Sequence, residues 1–238
     1  MGRPAAAQPA AWQADSTSLF PLAPAEYLTG KFRPSAALDF ALLPNSMTDG
    51  STVYLRTTVV DSLVKLIAAA AQDDVQLYAI SGVRTYDRQR KIWERRLKAE
   101  SPTKSTQTPT DTWKMTACRA LLKKMMTPGT SRHHWGTDVD LITTKSQYWQ
   151  TRAGRKQLNW LSANGARYGF YLVYDRGRQS GVAYEPWHWS FAPLAKPILK
   201  YYLEHVKTAD LGDYFGRECL DQFNWKAELM ETINGKLK

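Results

Sequence analysis

The stretch "SRHHWGTDVDL", residues 131–141, sets two adjacent histidines ahead of two aspartates in a chain of 238 residues that has only four histidines. Neutral imidazoles and carboxylates are the side chains catalytic zinc takes, typically three of them with a fourth position left for water. His133, His134, Asp138 and Asp140 are candidates here, and "EPWHW" (185–189) adds Glu185 and His188. Read as a strand, "TDVDL" turns Asp138 and Asp140 to one face and Val139 and Leu141 to the other, so either aspartate can join a site on a sheet. In a straight strand Glu185 and His188 face opposite sides; a bend at Pro186 lets both reach one metal-held water. A His, Asp, His set with a separate carboxylate base suits hydrolysis, the base drawing a proton from water while the metal polarises a carbonyl. The spacing is not that of a helical HExxH site.

Working outward, "TTVVDSLVKLIAAAAQ" places Val59, Val60, Leu63, Leu66, Ile67 and Ala70 at helical spacing. "VQLYAI" reads as a short buried strand ending at "SGVRT", and "DRQRKIWERRLKAE" as a helix through Ile92, Trp93, Arg96 and Leu97. "SPTKSTQTPTDT" (101–112) is a polar loop, after which "WKMTACRALLKKMM" is helical and "TPGTS" stops it. The chain then reads as extended from His133 to Ile142. "QLNWLSANGARYG" is a helix closing near Gly165 or Gly169, "FYLVY" a strand, and "VAYEPWHWSFA" a strand entered through a bend. "AKPILKYYLEHV" and "RECLDQFNWKAELMETI" are helical in pattern. Helices gathered around a few short strands predict an α+β fold: a small mixed or antiparallel sheet carrying the site, flanked by helices, in one domain. Residues 1–30, punctuated by Pro4, Pro9, Pro21 and Pro24, are expected to be an arm, and residues 31–238 the domain.

Thirty-two Lys and Arg against 22 Asp and Glu give a net charge of +10, which favours an acidic partner such as nucleic acid, an anionic envelope polymer or a membrane surface. No apolar run reaches the roughly 18 residues of a membrane span, and the N-terminal stretch lacks the h-region of a full signal peptide. Cys118 and Cys219 are too few for a disulfide scaffold and too far apart for a local zinc motif; one disulfide and two buried thiols fit equally well.

The motifs carry a family resemblance. Ser131, His133, Gly136 and Asp140 form SxHxxGxxxD, Glu185, His188 and Trp189 form ExxHW, and upstream Ser81, Gly82, Arg84, Thr85 and Gln89 match SGxR(S/T)xxxQ. In this order, over roughly residues 80–192, they resemble the VanY-type zinc D-alanyl-D-alanine carboxypeptidases of bacterial peptidoglycan. The resemblance implies that His133, Asp140 and His188 bind one zinc ion and that Glu185 is general base and then acid. It also implies that Arg84 braces the carbonyl as charge develops, where one well-aimed donor is worth about 2.7–4 kcal/mol. Gln89, Ser131 and Asp138 are supporting or substrate-facing residues, and Trp187 and Trp189 pack to orient His188. His134 is a neighbouring packing or hydrogen-bonding residue. Asp138 departs from many relatives, which carry a small apolar residue there; a second carboxylate beside the metal can raise a pKa, hold a ligand by hydrogen bond or alter substrate choice.

Taken singly, each of these residues has a plainer reading: a lone histidine is more often a satisfied core group than a ligand, and Arg84 at a strand end can be a surface ion-pair partner. The run Arg88, Arg90, Lys91, Arg95, Arg96 and Lys98 reads as a solvated helix face. The ordered set predicts a monomeric, exported zinc peptidase of the periplasm or cell envelope that removes the terminal D-Ala of peptidoglycan stem peptides. An endopeptidase cutting an internal bond of the same polymer is the first alternative, and a noncatalytic wall-binding protein the second. A nucleic-acid role rests on charge alone, without a readout motif.

Overall fold

The computed structural model describes residues 24–100 and 111–238. Most of the expected arm, residues 1–23, and most of the polar loop, residues 101–110, lie outside the described residues. The described chain opens with helix α1 (Pro24–Leu28), whose Tyr27 and Leu28 are buried. A two-stranded antiparallel sheet follows, β1 (Phe40–Leu42) against β2 (Tyr54–Arg56), leading directly into α2 (Thr57–Gln72).

The buried stripe of α2 is Val59, Val60, Leu63, Leu66, Ile67 and Ala70, the set its 3.6-residue period predicts. Fully burying a leucine such as Leu63 or Leu66, both at 0% exposure, contributes roughly 1.5–3 kcal/mol, so this stripe anchors the helix where propensity alone would not. Strand β3 (Ala79–Ser81) leads through Gly82 and Arg84 into α3 (Tyr86–Ala99), where the Thr85 hydroxyl caps the Arg88 amide at 3.3 Å. Helix α4 (Asp111–Leu122) comes next, and β4 (Asp138–Leu141) carries the two aspartates. Helix α5 (Arg152–Asn164) runs through a 3₁₀ turn to Gly169, whose φ of 80° starts β5 (Phe170–Leu172). Strand β6 (His188–Phe191) and α6 (Ala192–His205) follow.

The main sheet has four strands in the order β3-β4-β6-β5, and each pairing is antiparallel. The expected α+β class therefore holds, with an antiparallel rather than mixed main sheet. One face of β4 is apolar: Val139 and Leu141, each at 0% exposure, seal the core. The other face carries Asp138 and Asp140. Register then does the decisive work, because Asp140 lies directly opposite His188 and Asp138 opposite Ser190.

Four readings change in the folded chain. "VQLYAI" is strand only from Ala79, and α4 ends at Leu122, ahead of "TPGTS". His133 is not in extended chain but in a 3₁₀ turn, Arg132–Trp135, closed by Gly136 at φ 71°. The C-terminal segment forms a 3₁₀ turn (Arg217–Gln222) and a π turn (Lys226–Met230) instead of α-helix. Its residues find partners across the core: Cys219 is disulfide-bonded to Cys118 of α4, and Trp225 packs edge-on to Tyr202 of α6 at 6.0 Å. Such contacts outweigh local periodicity.

Candidate metal centre and active site

The 3₁₀ turn separates the two histidines. In a tight turn neighbouring side chains diverge by about a third of a revolution, so His133 and His134 point to different places. The His134 Nδ1–H donates to the Arg84 carbonyl at 2.5 Å, and the Gly129 amide donates to Nε2 at 3.1 Å. Both ring nitrogens are satisfied by backbone, and the ring lies against Gly30, where a Cβ would stand 2.3 Å from Nδ1. His134 is thus a buried cross-brace, and burial holds its pKa down at about 3. Arg56 braces the same turn from outside, its Nε donating to the Trp135 carbonyl at 2.8 Å while Nη1 pairs with Asp39.

His133 turns the other way. Its Nδ1 contacts the Gly82 carbonyl at 2.8 Å, and Nε2 lies 3.4 Å from Asp140 Oδ2. His188 meets the same spot: Nε2 contacts Asp138 Oδ2 at 2.9 Å and Nδ1 contacts Glu185 Oε2 at 3.2 Å. One ligand atom from each of His133, Asp140 and His188 can be chosen so that all lie within 4.8 Å of one another, and all three residues are buried. Asp140 Oδ1 is buried with no hydrogen-bond partner. A buried carboxylate oxygen without a donor is costly, and a cation held between the two imidazoles would satisfy it. The donor set therefore fits a divalent metal of the zinc type.

Electrostatics follow from burial and these contacts. Burial pushes the Asp140 carboxyl up, but His133, His188 and Arg84 outweigh it and hold it at about 2. Burial pushes the His188 ring down, and hydrogen bonds to Asp138 and Glu185 more than reverse this, to about 9. The Glu185 carboxyl is raised, by burial first, with its bond to His188 opposing. A raised carboxyl is what a base that must later act as an acid requires.

The Pro186 bend exists as expected: the His188 amide donates to the Glu185 carbonyl at 3.2 Å, and the Trp189 indole N–H closes the turn onto the Pro186 carbonyl at 3.0 Å. Arg84 reaches in from the β3–α3 connection, its Nη2 3.3 Å from Asp140 Oδ2 and its Nη1 donating to Gln89 Oε1 at 3.1 Å. Gln89 is itself buried and anchored on the Met126 carbonyl at 2.5 Å. It holds Arg84 in place. Ser131 and Trp187 line the same cleft of about 370 Å³, together with Glu185, Tyr174 and the ligand cluster.

Sequence reasoning missed three features. Arg96, read as solvated, lines this cleft with Lys123 and Lys124, so three further cations face it. Arg132 and Ser190 bind Asp138 (below), and no periodicity marks them because one lies in a turn. Tyr174 packs its ring edge-on to His188 at 5.1 Å. The fourth histidine, His205, is exposed and stacked on Tyr201 at 3.9 Å, away from the cluster.

A family model described as VanY, D-alanyl-D-alanine carboxypeptidase, matches residues 52–194. The chain belongs to the VanY family. Its similar relatives include YodJ of Bacillus subtilis (strain 168), 26% identical over 166 residues, covering 65% of this chain and 55% of the relative. A D-alanyl-D-alanine carboxypeptidase of Enterococcus faecalis (strain ATCC 700802 / V583) is 28% identical over 154 residues, covering 62% and 51%. This VanY-family chain thus spans about half the length of these two relatives. Among solved structures, the LdcB LD-carboxypeptidase aligns with a TM-score of 0.54 at 20% identity, over 81% of this chain and 80% of that one, a likeness of fold. The family match contains Arg84, Gln89, Ser131, His133, Asp138, Asp140, Glu185, Trp187 and His188 within its span.

Proposed function

We propose that this VanY-family chain is a zinc peptidase that hydrolyses the terminal D-Ala-D-Ala bond of peptidoglycan stem peptides. The observation that carries the reading is the convergence in one cleft of a His133, Asp140, His188 ligand cluster, a half-buried Glu185 with a raised pKa and the Arg84 guanidinium. His133, Asp140 and His188 would hold the zinc ion, which when bound lowers the pKa of its water and polarises the scissile carbonyl. Glu185 accepts a proton from the attacking water as the new C–O bond forms, then delivers it to the amine nitrogen as the C–N bond breaks. Arg84, held by Gln89, donates to the carbonyl oxygen as negative charge builds there.

The cleft cations favour a carboxypeptidase over an endopeptidase. Arg96, Lys123 and Lys124 supply positive charge for a free terminal carboxylate, which an internal bond does not present. They also make the cleft electropositive beside an acidic polymer, consistent with the net charge of +10.

Residues 31–238 act as the peptidase domain in this reading, which also places the protein outside the cytoplasm. The buried Cys118–Cys219 disulfide supports the location, because such bonds persist in oxidising compartments. Among the described residues, no helix is long and apolar enough to cross a membrane.

The test is mass spectrometry of defined pentapeptide and cross-linked muropeptides after incubation with zinc-loaded protein, with Glu185→Ala alongside. Release of one D-Ala, lost in the variant, establishes the activity. An internal cut shows an endopeptidase, and no cleavage with zinc bound leaves wall binding.

A further inference from the structure

Asp138 is fully buried and does not itself line the cleft; its contacts run behind the ligand cluster and reach the cleft only through His188. Oδ2 accepts from Arg132 Nε at 2.9 Å and meets His188 Nε2, also at 2.9 Å. Oδ1 accepts from the Thr137 hydroxyl at 2.8 Å, the Ser190 hydroxyl at 2.5 Å and, more weakly, Arg132 Nη2 at 3.4 Å. Arg132 Nη2 also donates to Ser190 Oγ at 2.8 Å, and its guanidinium lies over the Trp135 ring at 4.6 Å. Five contacts on two oxygens leave the carboxylate no freedom to rotate.

Sheet register explains why this carboxylate meets His188. Asp138 stands opposite Ser190, so His188, two residues before Ser190 on the same face, is its diagonal neighbour. Diagonal neighbours lie within reach of long and aromatic side chains. The imidazole is therefore gripped on one side by Asp138 and on the other by Glu185, while Tyr174 packs edge-on at 83° and blocks rotation. With Nε2 committed to Asp138, the nitrogen left for the cleft is Nδ1. His133 is the mirror case: its Nδ1 is committed to the Gly82 carbonyl, so Nε2 remains.

Both Asp138 oxygens pair with the Arg132 guanidinium, as in a structural ion pair, but Oδ2 is in addition shared with a candidate metal ligand. We propose that Asp138, clamped by Arg132, Thr137 and Ser190, is a positioning residue that orients His188 so that Nδ1 faces the metal and Nε2–H points into the protein. The inference rests on the zinc reading above and adds to it a residue that never touches substrate. Carboxylates hydrogen-bonded to a ligating histidine raise its basicity as a ligand and fix its tautomer, and losing one typically weakens metal binding by about 10–100-fold.

The test is a Zn²⁺ titration of the full chain against a chromophoric chelator, comparing wild type with Asp138→Asn and with the paired variant Arg132→Met plus Asp138→Ala. The paired variant removes the buried charges together, so it leaves no unpaired ion in the core. Zinc binding about 10–100-fold weaker in the variants, with far-UV circular dichroism and melting unchanged in at least one, is the expected result. The second expected result is a slowly exchanging His188 Nε2–H resonance in the zinc-loaded wild type that is lost in the paired variant. A folded variant that binds zinc within threefold of wild type overturns the proposal, and if the pair does not fold, Asp138→Asn decides by the same measure. A wild type that binds no zinc overturns the metallopeptidase reading itself, which keeps the two failures distinct.

Discussion

Breaking the Cys118–Cys219 bond should cost this protein a large share of its stability and open the wall of its cleft. The two cysteines are 101 residues apart, and the loop they close contains α5, β4, β5, β6, α6 and every proposed ligand. Cross-linking a loop of about 100 residues removes roughly 4.7 kcal/mol of chain entropy from the unfolded state. Against a total stability of about 5–15 kcal/mol, that is a third or more. For a chain of this size each kcal/mol moves Tm by about 2–4 °C, so the paired variant Cys118→Ala plus Cys219→Ala should melt roughly 10–20 °C below wild type. The bond also clamps α4 to the C-terminal segment, beside the Lys114–Glu218 ion pair at 2.7 Å, and Lys123 and Lys124 follow directly from that helix. Calorimetry of the oxidised wild type, the reduced wild type and the variant measures the effect, and reduction should reproduce the variant's shift. A shift below about 3 °C in both would refute the loop-entropy account. Two titratable thiols in denatured, unreduced protein would refute the disulfide itself.

Other outcomes follow from single side chains. Glu185→Gln should keep stoichiometric zinc but lower kcat by about 10²–10⁴-fold, whereas His188→Ala should lose the metal as well; equal metal loss in both would overturn the assignment of base and ligand. Arg84→Ala should lower kcat/KM by roughly 10²–10³-fold, with Gln89→Ala reducing it less, because Gln89 acts only by holding Arg84. A Gln89→Ala loss larger than that of Arg84→Ala would contradict this order. His134 is neutral in the fold, with a pKa of about 3 against 6.5 unfolded, so its contribution is fully present above pH 6.5 and is lost as pH falls toward 3. At pH 5 the loss is about 2 kcal/mol, and the difference in unfolding free energy between wild type and His134→Gln should show that slope; a flat difference refutes it.

Legibility from sequence followed the range of the signal. The helices over Thr57–Gln72, Tyr86–Ala99 and Ala192–His205 were readable because a 3.6-residue apolar period is local and uninterrupted. The seven-residue interval between His133 and Asp140, and the three between Glu185 and His188, were readable as motifs. The turn holding His133 and His134 was not: the motif singled out His133 as the ligand and His134 as its packing or hydrogen-bonding neighbour, but the 3₁₀ geometry and the bond of His134 to the Arg84 carbonyl, 50 residues away, appear only in the fold. Arg96 likewise looked like any charge on a solvated helix until Lys123 and Lys124 were brought to face the same cleft.

The amino-acid sequence by itself determined which side chains are available for metal, base and oxyanion chemistry and in what order they occur, because those properties belong to residue types and short spacings. Only the tertiary structure decided that Asp140 stands opposite His188, that Asp138 grips the same ring from behind, that Cys118 meets Cys219 and that Gln89 serves Arg84. These depend on strand register and on packing between segments tens of residues apart, and a one-residue slip of β4 would send both aspartates into the core and dissolve the site.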